Sequence, residues 1–547
     1  MRRIVVLVTA GCLGLGTLGA AGSAGAVSAT GARATSQAAN TAPAVATSAA
    51  GVPTAGSITW GPCRGAALAQ AGAECGSLAV PLDHSKPQGT RITLALSRVR
   101  HTSPASTYQG VMLVNPGGPG ASGLNLALIG ADVPKHAGDT YDWIGFDPRG
   151  VGASKPALSC VPGYFGARRP PYIPVTSALE RTWRDRSAGY ARECEKDAAR
   201  LLPHMKTRDN AQDMDDIRAA LGVPKLNFYG FSYGTYLGQV YATLYPSRVR
   251  RMVLDSNVDP RYVWYQANLK QDTAFELVLG AWFGWLAKFE STYQLGGTAD
   301  EVRQVFYEQE TALEKQPAGG KVGPAEWDDA FLLAGYAQST WPGLGQAFAS
   351  WVHQHDATQL MAAWEDTDTP GDDNGFAVYN AVGCTDAPWP RSWSRWADDA
   401  WRTHRVAPFV TWPNTWFNAP CLTWPVKAGT PVTVRGGGTS ALLIGETLDA
   451  ATPFEGSLEV RRRFTHASLI AEPGGTTHAG SLLGNACVDD KIAAYLATGV
   501  LPVRRAGDQA DAECAPLPRP VPDSASPARA PLPSLSVPRH VTRQPTS

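Results

Sequence analysis

The chain has 547 residues, and its 48 Lys and Arg balance 48 Asp and Glu, so the formal net charge is zero. A neutral chain has no global field that would attract nucleic acid or an anionic membrane surface, and we predict neither partner. The length exceeds that of a single hydrophobic core, which stops growing near ~250–300 residues, and therefore predicts a core with a second, inserted or appended domain.

The first 26 residues have the pattern of an export signal. Arg2 and Arg3 precede an apolar stretch at residues 4–18, and small residues at 24–26 form a cleavage site. We place the cut after Ala26, which predicts a secreted protein; the paired arginines alternatively fit a twin-arginine signal. No later stretch of the sequence is apolar for long enough to predict a membrane span.

The two ends of the chain are predicted to be disordered. Residues 27–55 are mostly Ala, Thr, Ser and Gly, and the tail at 516–547 is rich in Pro, Ser and Arg. Segments of this composition bury too little apolar surface to offset the entropy lost on ordering. The folded part is therefore expected between about residues 56 and 515.

Eight cysteines remain once the signal and its Cys12 are removed, and an even number in an exported chain predicts disulfides. Many pairings of eight cysteines are possible, but pairing of nearest neighbours closes the shortest loops, and this is the pairing we expect. The pairs are Cys63 with Cys75, Cys160 with Cys194, Cys384 with Cys421, and Cys487 with Cys514. No C-x-x-C or H-E-x-x-H motif is present, and no metal site is predicted.

Short β-rich segments alternate with helical ones in the first half of the folded part. In chain order, the sequence predicts strands at 91–97, 110–115 and 141–146, a helix at 213–221, a strand at 226–229, a helix at 232–245 and a strand at 251–255. This alternation is typical of an α/β fold with a mostly parallel sheet and helices on both faces. We assign residues 56–260 to the first part of this core.

The pattern changes to longer helical segments from residue 261 to residue 400. Ten of the 17 Trp of the chain lie here, and the β/α alternation returns afterwards with strands at 441–445 and 468–471. A helical block between two halves of an α/β core predicts a lid inserted over a site on the sheet. Residues 261–400 are therefore the predicted lid, and residues 401–515 the second part of the core.

Residues 230–234 match G-x-S-x-G, in which a serine occupies a strained turn between a strand and a helix. The small glycines allow the close approach that this turn requires. The predicted strand at 226–229 leads into the motif and a helix leads out, as the motif demands. Ser232 is therefore the predicted nucleophile; the alternative is a glycine-lined turn with a serine that caps a helix.

A nucleophilic serine needs a histidine base, and the base needs a carboxylate that orients it. After a G-x-S-x-G motif, the order along the chain is serine, acid, histidine. Catalytic groups lie beyond the carboxyl ends of parallel strands, and this favours His478, which follows a predicted strand, over His466, which precedes it. The same rule selects Asp449 as the acid, with Glu446 as the reserve.

Two backbone N–H groups are expected to stabilise the oxyanion of the reaction. Tyr233, the residue after the nucleophile, supplies one, and Gly117 or Gly118 of the glycine-rich loop at 116–120 supplies the other. Residues 118–123 also match the G-x-G-x-x-G dinucleotide motif, but the proline within it and the complete set of Ser, Asp and His argue against that interpretation. No cofactor is predicted.

Four motifs together resemble the secreted tripeptidyl aminopeptidases of the prolyl-aminopeptidase type. They are N-P-G-G-P-G at 115–120, D-P-R-G at 147–150, G-F-S-Y-G-T at 230–235 and D-A-A-T-P at 449–453. The resemblance covers about residues 56–516, including a C-terminal segment similar to that of the family. It implies an α/β-hydrolase fold and acyl-enzyme cleavage of short peptides from free N-termini, with Ser232, Asp449 and His478 in the roles given above.

The sequence departs from the family pattern in one place and leaves a second role open. The family usually has Gly-x-Gly-His before the base, whereas residues 474–478 are Gly-Gly-Thr-Thr-His. The family also holds the ammonium group of the substrate with lid carboxylates. Glu276, Glu290 and Asp328 are candidates by location, with ordinary surface helix positions as the alternative.

Two rival hypotheses remain for the function. A carboxylesterase would use the same three residues and would need no carboxylate for an ammonium group. A hydrolase fold without activity, used only for binding, would have no chemical need for Ser232, Asp449 and His478 together.

Overall fold

The computed structural model describes residues 56–522. The predicted signal peptide at 1–26, with its cleavage site after Ala26, and the segment at 27–55 lie outside the described residues, as does the tail from residue 523. Within residues 56–522, no helix has the length and apolar character needed to cross a membrane.

One ten-stranded sheet forms the centre of the core, in the order β1-β2-β3-β5-β4-β6-β7-β8-β9-β10. The strands are β1 (Thr59–Pro62), β2 (Glu74–Pro81), β3 (Arg91–Val99), β4 (Gly110–Asn115), β5 (Tyr141–Asp147), β6 (Leu226–Phe231), β7 (Val249–Asp255), β8 (Ala441–Glu446), β9 (Ala467–Glu472) and β10 (Ala512–Glu513). In sheet order, the pairs β1–β2, β2–β3 and β3–β5 are antiparallel. All the following pairs, from β5–β4 to β9–β10, are parallel. The predicted, mostly parallel α/β sheet is confirmed.

Helices cover both faces of the sheet and form a separate block beside it. They are α1 (Ala66–Gln70), α2 (Ser177–Ala198), α3 (Thr207–Ala220), α4 (Tyr233–Leu244), α5 (Tyr265–Lys288), α6 (Glu290–Tyr293), α7 (Ala299–Leu313), α8 (Pro324–Phe331), α9 (Trp341–Gln354), α10 (Thr358–Asp368), α11 (Asn374–Asp386), α12 (Trp393–His404), α13 (Pro408–Asn418), α14 (Glu455–Arg463) and α15 (Ala486–Thr498). Strands β6, β8 and β9 are buried at every position, because helices exclude water from both of their faces.

The helical block, called the lid below, consists of α5 to α13 and lies between β7 and β8 in the chain. It has its own apolar core, in which Trp282, Trp327 and Trp341 are fully buried. The boundary expected at residue 400 falls inside α12, and helical structure continues to Leu422. The reason is that α12 and α13 pack on each other through aromatic side chains, so they form one unit.

The four disulfides expected from nearest-neighbour pairing are all present. They are Cys63–Cys75, Cys160–Cys194, Cys384–Cys421 and Cys487–Cys514. Each bond closes a loop of 12 to 37 residues, so each constrains the local chain rather than joining distant parts of it. The last bond joins α15 to the residue that follows β10.

Residues 516–522, which were expected to be disordered with the rest of the tail, lie on the lid instead. The indole Nε1–H of Trp285 donates to the Pro520 carbonyl (2.8 Å), and the Gln338 side chain donates to the Leu517 carbonyl (2.9 Å). The Arg519 guanidinium lies over the ring of Trp341. A proline-rich backbone is extended and has free carbonyl groups, so it can accept these hydrogen bonds without forming regular structure.

Candidate active site

The turn that carries Ser232 joins β6 to α4 and has an unusual backbone conformation. Ser232 has φ 55° and ψ −127°, a region that costs a non-glycine residue conformational energy. A Cβ atom on Gly230 would lie 2.6 Å from the carbonyl oxygen of Gly234, and one on Gly234 would lie 2.6 Å from that of Asn115. These distances explain why both outer positions of the motif are glycine.

His478 and Asp449 form a buried hydrogen-bonded pair. The Nδ1 atom of His478 lies 3.0 and 2.9 Å from the two carboxylate oxygens of Asp449. Asp449 also accepts hydrogen bonds from the N–H groups of Ala451 and Thr452 (both 2.9 Å). Burial raises the pKa of Asp449. The charge and hydrogen bond of His478, together with the nearby donors, lower this pKa by more than burial raises it, so it is below its usual value.

Ser232 lies at the same carboxyl edge of the sheet as this pair, because it follows β6 while Asp449 and His478 follow β8 and β9. Within the described residues, Ser232 Oγ makes no hydrogen bond to His478. In ligand-free hydrolases this contact often tightens only when the substrate binds. The arrangement thus brings the three predicted residues to one edge, with the acid–base pair already formed.

His466 lies at the opposite edge of the sheet, immediately before β9, and its side chain is exposed. Glu446, the reserve acid, is the last residue of β8 and accepts a hydrogen bond from the Thr477 N–H below the loop that carries the histidine. A Cβ atom on Gly475 or Gly480 would lie 2.4 or 2.6 Å from the Glu446 carboxyl group. The loop therefore folds around Glu446, whose pKa is raised to about 9 by burial.

The two glycines proposed for the oxyanion hole have different surroundings. Gly117 is pressed against the nucleophile turn, since its Cβ would lie 2.9 Å from that of Ser232, and its own N–H donates to the Asn115 side chain (3.0 Å). Gly118 lines the pocket beside Ser232 and Tyr233, and within residues 56–522 its N–H has no hydrogen-bond partner. The geometry therefore favours Gly118 and Tyr233, the first residue of α4, as donors.

The glycine-rich loop leads into a 3-10 helix at Leu124–Asp132 rather than into an α-helix. Dinucleotide-binding loops hold the pyrophosphate at the N-terminus of an α-helix. The loop at 118–123 therefore lacks the helix that the dinucleotide interpretation requires.

A pocket opens beside Ser232, between the sheet edge and the lid. Its lid side is lined by Asn268, Lys270, Gln271, Tyr379 and Trp389, and the segment that leads into α5 contributes Tyr262 and Trp264. Aromatic rings with a few polar groups are typical of a pocket that binds an organic substrate and orients it through specific hydrogen bonds. The tryptophans of the lid thus serve two purposes, because some form its core and others line this pocket.

A chain of polar side chains leads from the pocket into the lid. The Tyr379 hydroxyl donates to Asn418 (3.1 Å), Asn418 donates to Asn414 (2.9 Å), and Asn414 donates to the carboxyl group of Asp272 (2.8 Å). Asp272 lies one helical turn after the pocket residue Asn268 and is only 2 % exposed. Burial raises the pKa of Asp272 well above its usual range, against a small opposing effect of the Asn414 hydrogen bond.

The three lid carboxylates considered from the sequence lie away from this pocket. Glu276 forms an ion pair with Arg303 (2.9 Å), Glu290 is exposed at the start of α6, and Asp328 is buried inside the lid. Sequence analysis missed Asp272, because it belongs to no motif and its neighbours come from α5, α11 and α13.

The pH dependence of activity should follow the titration of His478. Burial opposes protonation of the imidazole, but the Asp449 carboxylate, through its charge and hydrogen bond, and the charge of Asp255 outweigh burial and raise the pKa of His478. Only the neutral imidazole can accept the serine proton. We therefore expect kcat/KM to fall as the pH decreases through a value above ~6.5, the ordinary histidine pKa. A pH profile measured with an uncharged ester checks this, and a midpoint below 6 would contradict it.

Two family models match the chain: one described as the alpha/beta hydrolase fold over residues 110–363, and one described as TAP-like protein over residues 407–514. The tripeptidyl aminopeptidase of Streptomyces lividans is 43% identical over 466 residues, which are 82% of this chain and 85% of that protein.

Two mycobacterial proteins are more distant relatives. Serine protease Hip1 of Mycobacterium tuberculosis is 30% identical over 81% of this chain and 89% of its own length. Carboxylesterase B of the same species is 30% identical over 79% of this chain and 85% of its own length. The segments matched by the two family models, 110–363 and 407–514, include strands β4 to β10 and parts of the lid. The chain belongs to the tripeptidyl aminopeptidase family of α/β hydrolases.

Proposed function

We propose that this serine peptidase is an exported aminopeptidase that releases short peptides, tripeptides in particular, from free N-termini. The observation that carries the proposal is the strained Ser232 turn at one sheet edge with the buried Asp449–His478 pair. The four disulfides support export, because such bonds persist in oxidising compartments. The signal pattern with its cleavage site after Ala26 agrees with this location.

The proposed reaction proceeds through an acyl-enzyme. The Nδ1 of His478 is held by Asp449, so Nε2 is the atom that accepts the proton from Ser232 Oγ as this oxygen attacks the scissile carbonyl carbon. The N–H groups of Tyr233 and Gly118 stabilise the oxyanion. His478 then returns the proton to the leaving amine, the C–N bond breaks, and water, activated by the same imidazole, hydrolyses the ester on Ser232.

Recognition of a free N-terminus requires a group that binds an ammonium ion, and we assign this role to Asp272. Its carboxyl group does not itself line the pocket; it is buried one helical turn along α5 from the lining residue Asn268 and receives one hydrogen bond, from Asn414. No cation is paired with it among the described residues. A substrate ammonium would supply the missing positive charge and stabilise the ionised carboxylate. The network from Tyr379 to Asn414 would hold the carboxylate in place.

Asp272→Asn should therefore lower kcat/KM for a free tripeptide amide by about 30-fold to several thousand-fold, since loss of a buried charged contact costs ~2–5 kcal/mol. The N-acetylated tripeptide should be a poor substrate of both proteins, with little difference between them. The measurement is kcat/KM for the free and the acetylated peptide with each protein.

Glu276→Gln is the matched control, because Glu276 is also a buried carboxylate and lies one turn further along α5, away from the pocket. It should preserve the preference for the free peptide. If the wild-type protein cleaves the free and acetylated peptides equally and hydrolyses simple esters rapidly, the carboxylesterase hypothesis replaces the aminopeptidase proposal.

A further inference from the structure

Asp255, the last residue of β7, and Ser256, which follows it, lie between the strand of the nucleophile and the strand of the acid. The Ser232 N–H donates to the Asp255 carbonyl (3.1 Å), and the Ser256 N–H donates to the Ile444 carbonyl of β8 (3.0 Å). The backbone of this pair is thus hydrogen-bonded on one side to the nucleophile itself and on the other side to the strand that leads to Asp449.

The side chains of the same pair reach the loop that carries the histidine. The Ser256 hydroxyl oxygen accepts a hydrogen bond from the N–H of Ala479 (2.8 Å), the residue next to His478. The Asp255 carboxylate accepts two hydrogen bonds from Ser481, one from its N–H (2.9 Å) and one from its hydroxyl (2.6 Å). Each hydrogen bond is buried or nearly so, and therefore little water competes for it.

Ser256 has φ 62°, in the left-handed region that glycine adopts freely and other residues adopt at a cost. Backbone strain of this kind persists where the surrounding structure determines it, and it concentrates at functional sites. A serine at this position loses conformational energy relative to glycine but supplies a hydroxyl group. That hydroxyl accepts the hydrogen bond from the Ala479 N–H, and glycine, which has no side chain, could not accept it.

We propose that Ser256 is a positioning residue of the active site, whose hydroxyl fixes the backbone beside His478 and so holds the imidazole in reach of Ser232. This inference rests on the proposed roles of Ser232 and His478. Ser256 touches no substrate in this scheme; it acts through the backbone N–H of Ala479 and through its hydrogen-bonding effect on Asp449. The Asp255 carboxylate holds the next part of the loop, at Ser481, in the same way.

The test compares Ser256→Gly and Ser256→Ala with the wild-type protein on a p-nitrophenyl ester and on a tripeptide p-nitroanilide. Glycine removes the hydroxyl and also relieves the strained φ, so Ser256→Gly should fold stably. Misplacement of a catalytic group by about 1 Å costs on the order of 100-fold in rate. We expect kcat to fall by about 10- to 100-fold on both substrates, with KM changed by less than about twofold.

Ser468→Ala is the matched control, because Ser468 is also a buried serine that donates one hydrogen bond, to the Pro502 carbonyl (2.7 Å), far from the histidine loop. It should retain wild-type kcat. Titration of active sites with a fluorophosphonate corrects each rate for the folded fraction, and melting temperatures show whether stability changed. A merely structural role would lower the melting temperature and the titrated fraction, but not kcat per titrated site.

Three results would overturn the inference: an unchanged kcat per site in both Ser256 variants, an increase in KM alone, or a kcat loss in Ser256→Ala that Ser256→Gly restores. The last result would mean that backbone strain, and not the hydroxyl, matters. Ester hydrolysis by the wild-type protein and by Ser232→Ala is measured first. If the two rates are equal, the proposed function fails and the positioning role with it; if they differ, the Ser256 result decides the positioning role alone.

Discussion

Ser232→Ala is expected to lower kcat by about four to six orders of magnitude on both peptide and ester substrates, the range found when a triad nucleophile is removed. The substitution removes only Oγ, which is the atom that attacks. It leaves the Cβ against which Gly117 packs and the glycine contacts on either side of the turn. The elbow should therefore keep its shape, and the loss should appear in the chemistry and not in folding.

Circular dichroism and thermal unfolding of Ser232→Ala should match those of the wild-type protein. A fluorophosphonate should label the wild-type chain at Ser232 and should not label the variant. A folded variant that retains more than about one per cent of the wild-type kcat would exclude Ser232 as the nucleophile, because residual turnover without it is several orders of magnitude lower.

His478→Ala should be as damaging as Ser232→Ala, and Asp449→Asn should lower kcat by about 10⁴-fold. Both oxygens of Asp449 lie within 3.0 Å of Nδ1 of the histidine, so the carboxylate fixes the tautomer that leaves Nε2 free to accept a proton. An asparagine amide can donate to Nδ1 and so stabilise the wrong tautomer. Proton transfer from Ser232 to His478 should therefore be lost, even though the geometry of the pair is nearly retained.

His466→Ala is the control for these variants, and it should keep kcat within about twofold, as surface substitutions usually do. Its side chain is exposed at the amino end of β9, at the edge opposite Ser232. Turnover with each variant, measured on an uncharged p-nitrophenyl ester, ranks the two histidines. Loss of activity in His466→Ala with retention in His478→Ala would contradict the assignment of the base.

The elements that sequence analysis placed correctly are those whose cause is local in the chain. The parallel strands are largely apolar because both of their faces are covered. The glycines of the G-x-S-x-G motif are required by a close approach between Gly230 and Gly234, which are only four positions apart. The strand that separates His466 from His478 was also placed correctly, as β9, and the proposed choice of His478 as the base depends on that position alone. The disulfides followed from short separations along the chain.

Features that depend on distant contacts were not predictable. The difference between Gly117 and Gly118 was also not predictable, although it is local, because it depends on the direction of the Asn115 side chain, which accepts a hydrogen bond from the Gly117 N–H. Asp272 acquires its surroundings from helices far away in sequence, and the Ser256 hydroxyl meets a backbone N–H that is 223 residues distant. The predicted lid boundary at residue 400 lies within α12, and the packing of α12 on α13 is a tertiary contact that the sequence pattern does not show.

The path of residues 516–522 adds a contact between the C-terminal end of the core and the lid, besides the buried ion pairs of Arg169 with Glu326, Asp329 and Asp368 of the lid. The segment starts next to a disulfide on the core and ends on Trp285 and Trp341 of the lid. These contacts would all have to break if the lid rotated about the two chain connections that enter it after β7 and leave it before β8. Substrate entry would then depend on the pocket mouth rather than on a wide swing of the lid.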